Sequence, residues 1–249
     1  MSAAPDSTPQ FHPHRWKADL ALGVVALIWG TTFVIVKAAL STISTSFFLS
    51  LRFWLAALAM GALFIPRFRQ AGWHATGRGL RGGMIAGIFL WLGYLLQTTG
   101  LLYTTAGKSG FITGMYIVLV PLIGAIIYRK WPQISEVLGV AVAGAGLVLL
   151  TLPTFDLKMN EGDLLTLGCA VAFAFHLLIL GYFSQRELFE AVAFGQIFCT
   201  AILSTLSLLF DKPRVHWSAG LLLAIAVTGI FATALAFSLQ TWGQKYTTP

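Results

Sequence analysis

The sequence predicts an all-α integral membrane protein: an inverted repeat of five-helix units (5+5), with eight transmembrane helices present in this chain. Three observations lead to this prediction, namely the apolar composition, the length of the apolar runs and a short phrase that occurs twice. Of the 249 residues, 57% are hydrophobic and only 10% are charged. Soluble domains carry about 25% charged residues, so the composition excludes an ordinary soluble fold.

Eight apolar runs are long enough to cross about 30 Å of hydrocarbon as helices. They lie near residues 20–40, 46–65, 82–103, 109–128, 134–152, 163–183, 190–210 and 219–242. Strands of a membrane barrel would be about ten residues long and would alternate in polarity, so the run length favours helices. The first run is too long for the apolar core of a signal peptide, and we expect residues 1–18 to form a cytoplasmic tail.

The distribution of Lys and Arg predicts a cytoplasmic N-terminus. In that orientation ten of the 16 basic residues lie in cytoplasmic segments and four on the opposite side, as the positive-inside rule requires. The basic residues stand in short gaps between apolar runs, so the net charge of +7 does not indicate a nucleic-acid partner. Cys169 and Cys199 fall inside apolar runs, and neither a disulfide nor a metal site is indicated.

A repeated phrase supplies the internal symmetry. Residues 96–107 (LQTTGLLYTTAG) and 239–249 (LQTWGQKYTTP) close the third and the last run, with seven of eleven aligned positions identical at an offset of 143. Asp19-Leu20 before the first run matches Asp163-Leu164 before the sixth at an offset of 144. The repeat unit therefore has five helices. Because five is odd, the two copies cross the membrane in opposite directions, a common plan of secondary transporters.

The repeat also divides the chain. We place the first repeat at 19–153 and a second, incomplete repeat at 160–249, with two further helices expected after it. A genuine eight-helix protein is the alternative.

Repeat-related polar and aromatic residues define a candidate substrate cavity. Gln97 and Gln240 correspond in the repeat, and each follows an aromatic residue, Tyr94 or Phe237, by one helical turn. Such faces combine a stacking surface with hydrogen-bonding groups, which suits a neutral or zwitterionic metabolite with an apolar side chain. Interhelical hydrogen bonding is the alternative role for the two amides.

His176 lies halfway along the sixth span and corresponds to Thr32 in the first. An imidazole titrates near neutral pH and suits proton coupling; a neutral histidine bonded to a neighbouring helix is the alternative. All nine Asp and Glu lie at span ends or in loops, so this chain cannot supply a carboxylate relay. Further cavity candidates are Trp29, Thr113 and Tyr116.

Arg52 and Pro121 are candidates of another kind. Arg52, near the extracytoplasmic end of the second span, either binds an anionic group or is held by backbone carbonyls, and we favour the structural role. Pro121 removes one backbone hydrogen bond in the fourth span and is a candidate hinge, with a static bend as the alternative. Two glycine pairs, Gly83 with Gly87 and Gly110 with Gly114, have the spacing of close-packing helix faces.

Four stretches carry a resemblance to a known family: LIWGTTFVIVKAAL (27–40), SLRFWLAALAMGALF (50–64), LQTTGLLYTTAGKSGFITGMYIVLVPLIGAII (96–127) and VLGVAVAGAGLVLL (137–150). They resemble the EamA-type, ten-helix branch of the drug/metabolite transporter superfamily. The resemblance implies a bacterial inner-membrane permease that exports amino acids or other small metabolites through a central cavity. Two features depart from it, since Arg129-Lys130 stands where members often have Gly-Glu, and a ninth span with a Glu-Pro pair is absent.

We therefore expect a secondary transporter that exports small metabolites, foremost hydrophobic or aromatic amino acids, by alternating access. The alternatives are a facilitator or a carrier of another solute class (a drug-like cation, a nucleotide sugar or a lipid) and a non-transporting membrane bundle. An intramembrane enzyme would show paired carboxylates, a metal set or a nucleophile with its base. The sequence shows no such cluster, and we expect no catalytic residue and no cofactor. The expected partners are the solute, the lipid bilayer and protons, with the chain a monomer or homodimer.

Overall fold

The computed structural model describes residues 15–129, 134, 137–142, 145 and 159–247. Among these residues, seven helical segments are long and apolar enough to cross a membrane. They match seven of the eight predicted spans and confirm an all-helical membrane fold. The remaining predicted span, near 134–152, falls largely outside the described residues.

The first four spans are α1 (Arg15–Ala39), α2 (Thr45–Ala71), α3 (Trp73–Tyr103) and a broken span of α4 (Ala106–Gly114) and α5 (Tyr116–Tyr128). The next two are α6 (Glu161–Ser184) and α7 (Phe189–Leu206), the second extended by a 3-10 turn, Ser207–Leu209. The last span is composite, with α8 (Ala219–Ala226), a π-helical segment (Val227–Leu235) and α9 (Ala236–Tyr246).

The end of α2 differs from the prediction, which places it at residue 65. The helix continues past Pro66 to Ala71, because the missing N–H of one proline removes only one hydrogen bond. The added turns are held by packing, since the ring of Phe68 lies 6.3 Å from that of Phe64 and 5.8 Å from that of Phe194 on α7. Gly72, with a φ of +80°, then turns the chain directly into α3.

The fourth span is interrupted at Met115 and not at Pro121. The Met115 N–H bonds to the carbonyl of Ile112, at 3.1 Å, in a tight turn between α4 and α5. The helix α5 continues through Pro121. Any hinge role of Pro121 remains a prediction.

Small residues bring α3 close to its neighbours. A Cβ on Gly83 would lie 2.3 Å from the carbonyl oxygen of Val192 on α7, and one on Gly87 would lie 2.7 Å from that of Gln196. Towards α6, a Cβ on Gly100 would lie 2.7 Å from another backbone oxygen. The prediction that Gly83 and Gly87 form a close-packing face is therefore confirmed. The same prediction for Gly110 is wrong, because a Cβ there would lie 3.9 Å from the Phe33 ring, which is an ordinary contact.

Two connections pair on one side of the membrane, which we call the bridge side. Ile43, between α1 and α2, forms an isolated antiparallel β-bridge with Val215, before α8. The N–H of Ser44 donates to the carbonyl of Arg214 at 2.9 Å. The side-chain amide of Asn160, just before α6, donates at 3.1 Å to the carbonyl of the last residue of α3. The helix α6 therefore also begins on this side.

Two ion pairs lie on the opposite side. Arg67, near the end of α2, is 3.6 Å from the carboxylate of Glu190, and Arg78, in the first turns of α3, is 3.1 Å from that of Glu187. Both arginines are exposed, so each pair adds less than about 1 kcal/mol. The first pair joins the end of α2 to the first turn of α7. The second pair joins the start of α3 to the loop between α6 and α7.

Candidate functional site

A cavity of about 200 Å³ is lined by residues of α1 to α6 and of the span at Ala219–Tyr246. The structure brings all nine predicted cavity candidates, and Arg52, into its walls, whereas Pro121 lies outside them. These ten residues are Trp29, Thr32, Arg52, Tyr94, Gln97, Thr113, Tyr116, His176, Phe237 and Gln240.

Aromatic rings form much of the wall. The Tyr94 ring centroid lies 5.1 Å from that of Phe53, 5.3 Å from Phe173 and 6.2 Å from Phe237, all in edge-to-face contacts. Trp29 packs on the other side of Phe237 at 5.1 Å, and its indole N–H donates to the carbonyl of Ala232 at 2.9 Å. Edge-to-face packing of this kind fixes each ring, so the apolar surface of the cavity is formed before a ligand enters.

Phe173 is a wall residue that the sequence reasoning missed. It contacts both Tyr94 and Tyr116, with ring centroids 5.3 Å and 6.4 Å away. The signal was present, because the offset of 144 that pairs Thr32 with His176 also pairs Trp29 with Phe173.

The two repeat-related glutamines differ in their hydrogen bonding. The Gln97 amide nitrogen donates to the hydroxyl of Thr113 at 3.1 Å, which connects α3 to α4. The Gln240 side-chain oxygen is buried and has no hydrogen-bond partner among the described residues. An unpaired buried acceptor is unfavourable, because it has lost its water without gaining a donor.

His176 is held by a chain of hydrogen bonds from α6 to α7 and α9. Its Nε2 lies 2.6 Å from the Gln196 side-chain oxygen, and the Gln196 amide nitrogen donates to the Thr241 hydroxyl at 3.0 Å. With the Gln196 oxygen as acceptor, the neutral imidazole carries its proton on Nε2. His176 thus has the helix-to-helix bond of a structural histidine and also lines the cavity. Gln196 was missed, although a polar residue inside a span is itself a signal.

Arg52 is 2% exposed and contacts only neutral groups. Its Nε donates to the Thr233 hydroxyl at 2.8 Å, and Nη2 donates to the Tyr94 hydroxyl at 3.3 Å. The guanidinium also lies over the Tyr94 ring, 4.7 Å from the centroid, and 5.5 Å from that of Phe53. The expectation that backbone carbonyls hold Arg52 is therefore wrong, because its hydrogen bonds go to hydroxyl groups of α3 and of the π-helical segment.

The π-helical segment explains how Thr233 can bind Arg52. The Thr233 hydroxyl donates its own hydrogen to the carbonyl of Thr228, five residues earlier, at 2.8 Å. Its lone pairs therefore face the arginine. Gly229 lets the segment approach α2, since a Cβ there would lie 2.9 Å from the Leu55 side chain and 3.2 Å from the Arg52 carbonyl. Such π-helical turns are rare and occur frequently at functional sites.

A bundle of membrane-spanning helices around an aromatic-lined cavity has the architecture of a multi-pass membrane transporter. Residues 16–152 match the EamA-like transporter family, and the chain belongs to that family. The resemblance found in the sequence is thereby confirmed.

Relatives extend over nearly the whole chain. An "uncharacterized transporter" of Archaeoglobus fulgidus is 37% identical over 233 residues, which are 94% of this chain and 71% of the relative. The "uncharacterized transporter YoaV" of Bacillus subtilis is 21% identical over 91% of this chain and 79% of its own length. A solved crystal structure superposes with a TM-score of 0.71 at 21% identity, over 93% of this chain and 80% of that one, and supports the fold.

Proposed function

We propose that the protein is a secondary transporter that exports small metabolites, foremost amino acids with hydrophobic or aromatic side chains, by alternating access around the central cavity. The observation that carries this proposal is the cavity itself, in which aromatic walls are combined with hydrogen-bonding side chains. Its volume of about 200 Å³ lies below the range of about 300–1,000 Å³ typical of drug-sized ligands. A solute of amino-acid size matches this space better than a nucleotide sugar or a lipid does.

The proposed mechanism includes the 5+5 inverted repeat, with units at 19–153 and 160–249. In support, α6 begins on the bridge side, where α1 ends, so these matched helices run in opposite directions. Matched residues also meet in the cavity walls, as Thr32 does with His176. In a bacterial inner membrane, the bias in basic residues places the bridge side outside the cytoplasm.

Transport is tested by counterflow in proteoliposomes. We expect exchange of radiolabelled L-phenylalanine and L-leucine, and none of UDP-glucose or tetraphenylphosphonium. Failure of both amino acids would overturn the amino-acid proposal, and exchange of one of the other solutes would identify its class in their place.

A matched pair of variants on α1 assigns the flux to the cavity. Gly30 lines the cavity and Gly23 does not, and a Cβ at either position would meet no atom within 4 Å. We expect Gly30→Leu to reduce counterflow at least about tenfold by occupying solute space, and Gly23→Leu to leave it unchanged. Equal rates in the two variants would place the solute path elsewhere.

Proton coupling through His176 is the part of the proposal most readily separated from transport itself. We expect an imposed pH difference to accelerate flux in the wild type, and His176→Asn to abolish this acceleration while counterflow at equal pH persists. The amide of asparagine keeps a hydrogen-bond donor but does not titrate. The control is His74→Asn, which alters an exposed imidazole in the first turn of α3. A wild type indifferent to the pH difference would indicate a facilitator, and an unchanged response in His176→Asn would exclude this histidine from the coupling.

A further inference from the structure

We propose that Arg52 binds the carboxylate of the transported solute, so that the cavity selects compounds with one carboxylate next to an apolar body. This inference rests on the proposed transport function and deepens it, because it names the chemical group by which the solute is recognised. It replaces the structural role that the sequence favours for Arg52.

Arg52 carries a buried positive charge that has no counter-ion among the described residues. Arg52 is 2% exposed, and the described residues that line the cavity include neither Asp nor Glu. The three ion pairs found among the described residues use other cations, namely Arg67, Arg78 and Lys108. A buried charge is costly unless it is paired. An anionic group of the solute would supply the missing partner, whereas a cationic solute would be repelled.

The Arg52 guanidinium has N–H donors that remain available for a ligand. A guanidinium has five N–H groups in a planar fork. Two of them donate to Thr233 and Tyr94, which leaves three without an acceptor in the described part of the chain. A planar carboxylate can accept two parallel N–H bonds from such a fork, which a neutral amide or an alcohol cannot do as well.

The Arg52 guanidinium is already oriented before a ligand binds. Thr233 is held by its bond to Thr228, and Tyr94 is held by edge-to-face contacts with Phe53 and Phe173. The arginine is bonded to both of these fixed groups. A donor that is ordered before binding loses little conformational entropy when the ligand arrives, so more of its interaction energy appears as affinity.

Gln240 adds the complementary group. Its side-chain oxygen is an acceptor without a partner among the described residues, and the residue lines the cavity while only 5% exposed. An ammonium or hydroxyl group of the solute would supply the donor. A cavity with one cationic donor, one free acceptor and aromatic walls thus fits a zwitterion with an apolar side chain. A doubly charged phosphate ester would find only one formal cation in the described walls.

The test uses four probes that share one phenyl group: L-phenylalanine, L-phenylalaninamide, phenethylamine and 3-phenylpropionate. Their equilibrium binding to the purified full chain is measured by calorimetry, and their ability to compete for counterflow is measured separately. We expect L-phenylalanine to bind at least about 30-fold more tightly than L-phenylalaninamide and phenethylamine, and 3-phenylpropionate to bind more tightly than phenethylamine. Equal binding of phenylalanine and its amide would overturn this inference alone. Absence of counterflow by every probe, with the binding preference intact, would overturn the proposed transport function instead.

Variants assign the preference to Arg52. In Arg52→Gln we expect the acid-to-amide affinity ratio to fall from about 30 or more to about 1. Thr233→Val keeps the charge but removes the hydroxyl that positions it, and we expect an intermediate ratio, which serves as the readout if Arg52→Gln does not fold. Lys37→Gln is the matched control, because Lys37 is a cation of α1 outside the cavity walls that donates to the carbonyls of Leu101 and Leu102. A ratio unchanged in both cavity variants, or lost equally in Lys37→Gln, would overturn the assignment.

Discussion

The Gly83→Ala variant is expected to lose at least about 3 kcal/mol of unfolding free energy, the upper end of what overpacking costs. The added Cβ would lie 2.3 Å from the carbonyl oxygen of Val192 and 2.9 Å from the amide nitrogen of Gln196. Both atoms belong to the backbone of α7, so no side-chain rotation can relieve the clash, and the two helices would have to separate. Unfolding in detergent, followed by tryptophan fluorescence, measures the loss.

Gly77→Ala is the matched control on the same helix, since a Cβ at Gly77 would meet no atom within 4 Å. Alanine there is expected to stabilise the helix by about 0.5–1 kcal/mol, because glycine loses more conformational freedom on folding. Equal stability of the two variants would show that α3 and α7 do not approach as closely as described here. The same crossing positions Gln196, which bonds to His176, so a separation of these helices would also disturb the cavity.

The Asp163→Asn variant is expected to lose about 1.5–3 kcal/mol, the contribution of hydrogen bonds to a charged group at a buried site. Asp163 is fully buried at the start of α6, and its carboxylate lies 2.6 Å from the Lys108 ammonium. It also accepts hydrogen bonds from the Thr104 hydroxyl at 2.7 Å and from the Asn160 backbone N–H at 2.9 Å. Thermal unfolding of the purified variant measures the effect.

Asp19→Asn is the control, because Asp19 is the repeat-related residue at the start of α1 and is exposed. We expect a change within about 0.5 kcal/mol there, as for other surface substitutions. Lys108→Met and Asp163→Asn together should cost less than the sum of the two single variants, since the two side chains interact directly. An Asp163→Asn variant as stable as Asp19→Asn would mean that the ion pair does not hold α4 and α6 together.

The predicted spans agree with the structure wherever hydrophobicity alone determines a helix. The ends differ because polar or proline-containing turns are stabilised by contacts that are distant in sequence. The turns of α2 beyond Pro66 pack Phe68 on Phe194, and the polar first turns of α3, which begins nine residues before its predicted start at residue 82, place Arg78 next to Glu187. Neither contact is visible in the local sequence.

The residues of the cavity were predictable in so far as the repeat relates them. Pairing Thr32 with His176, and Gln97 with Gln240, selected residues that the structure places in one cavity. The partners of Arg52 were not predictable in the same way. Its bond to Thr233 depends on a π-helical segment, and no pattern in the apolar run distinguishes that segment from an ordinary α-helix.

The bond between Arg52 and Thr233 also bears on the order in which the protein is made. The two residues are 181 positions apart, so at about 5–20 residues per second Thr233 is synthesised about 9–36 s after Arg52. During that interval α2 carries a guanidinium whose Thr233 hydroxyl partner does not yet exist. The cavity is therefore completed only after the span at Ala219–Tyr246 has been made. A ribosome that stalls before this span is made would leave an incomplete helix bundle with a buried charge in the membrane. Quality-control proteases remove intermediates of this kind.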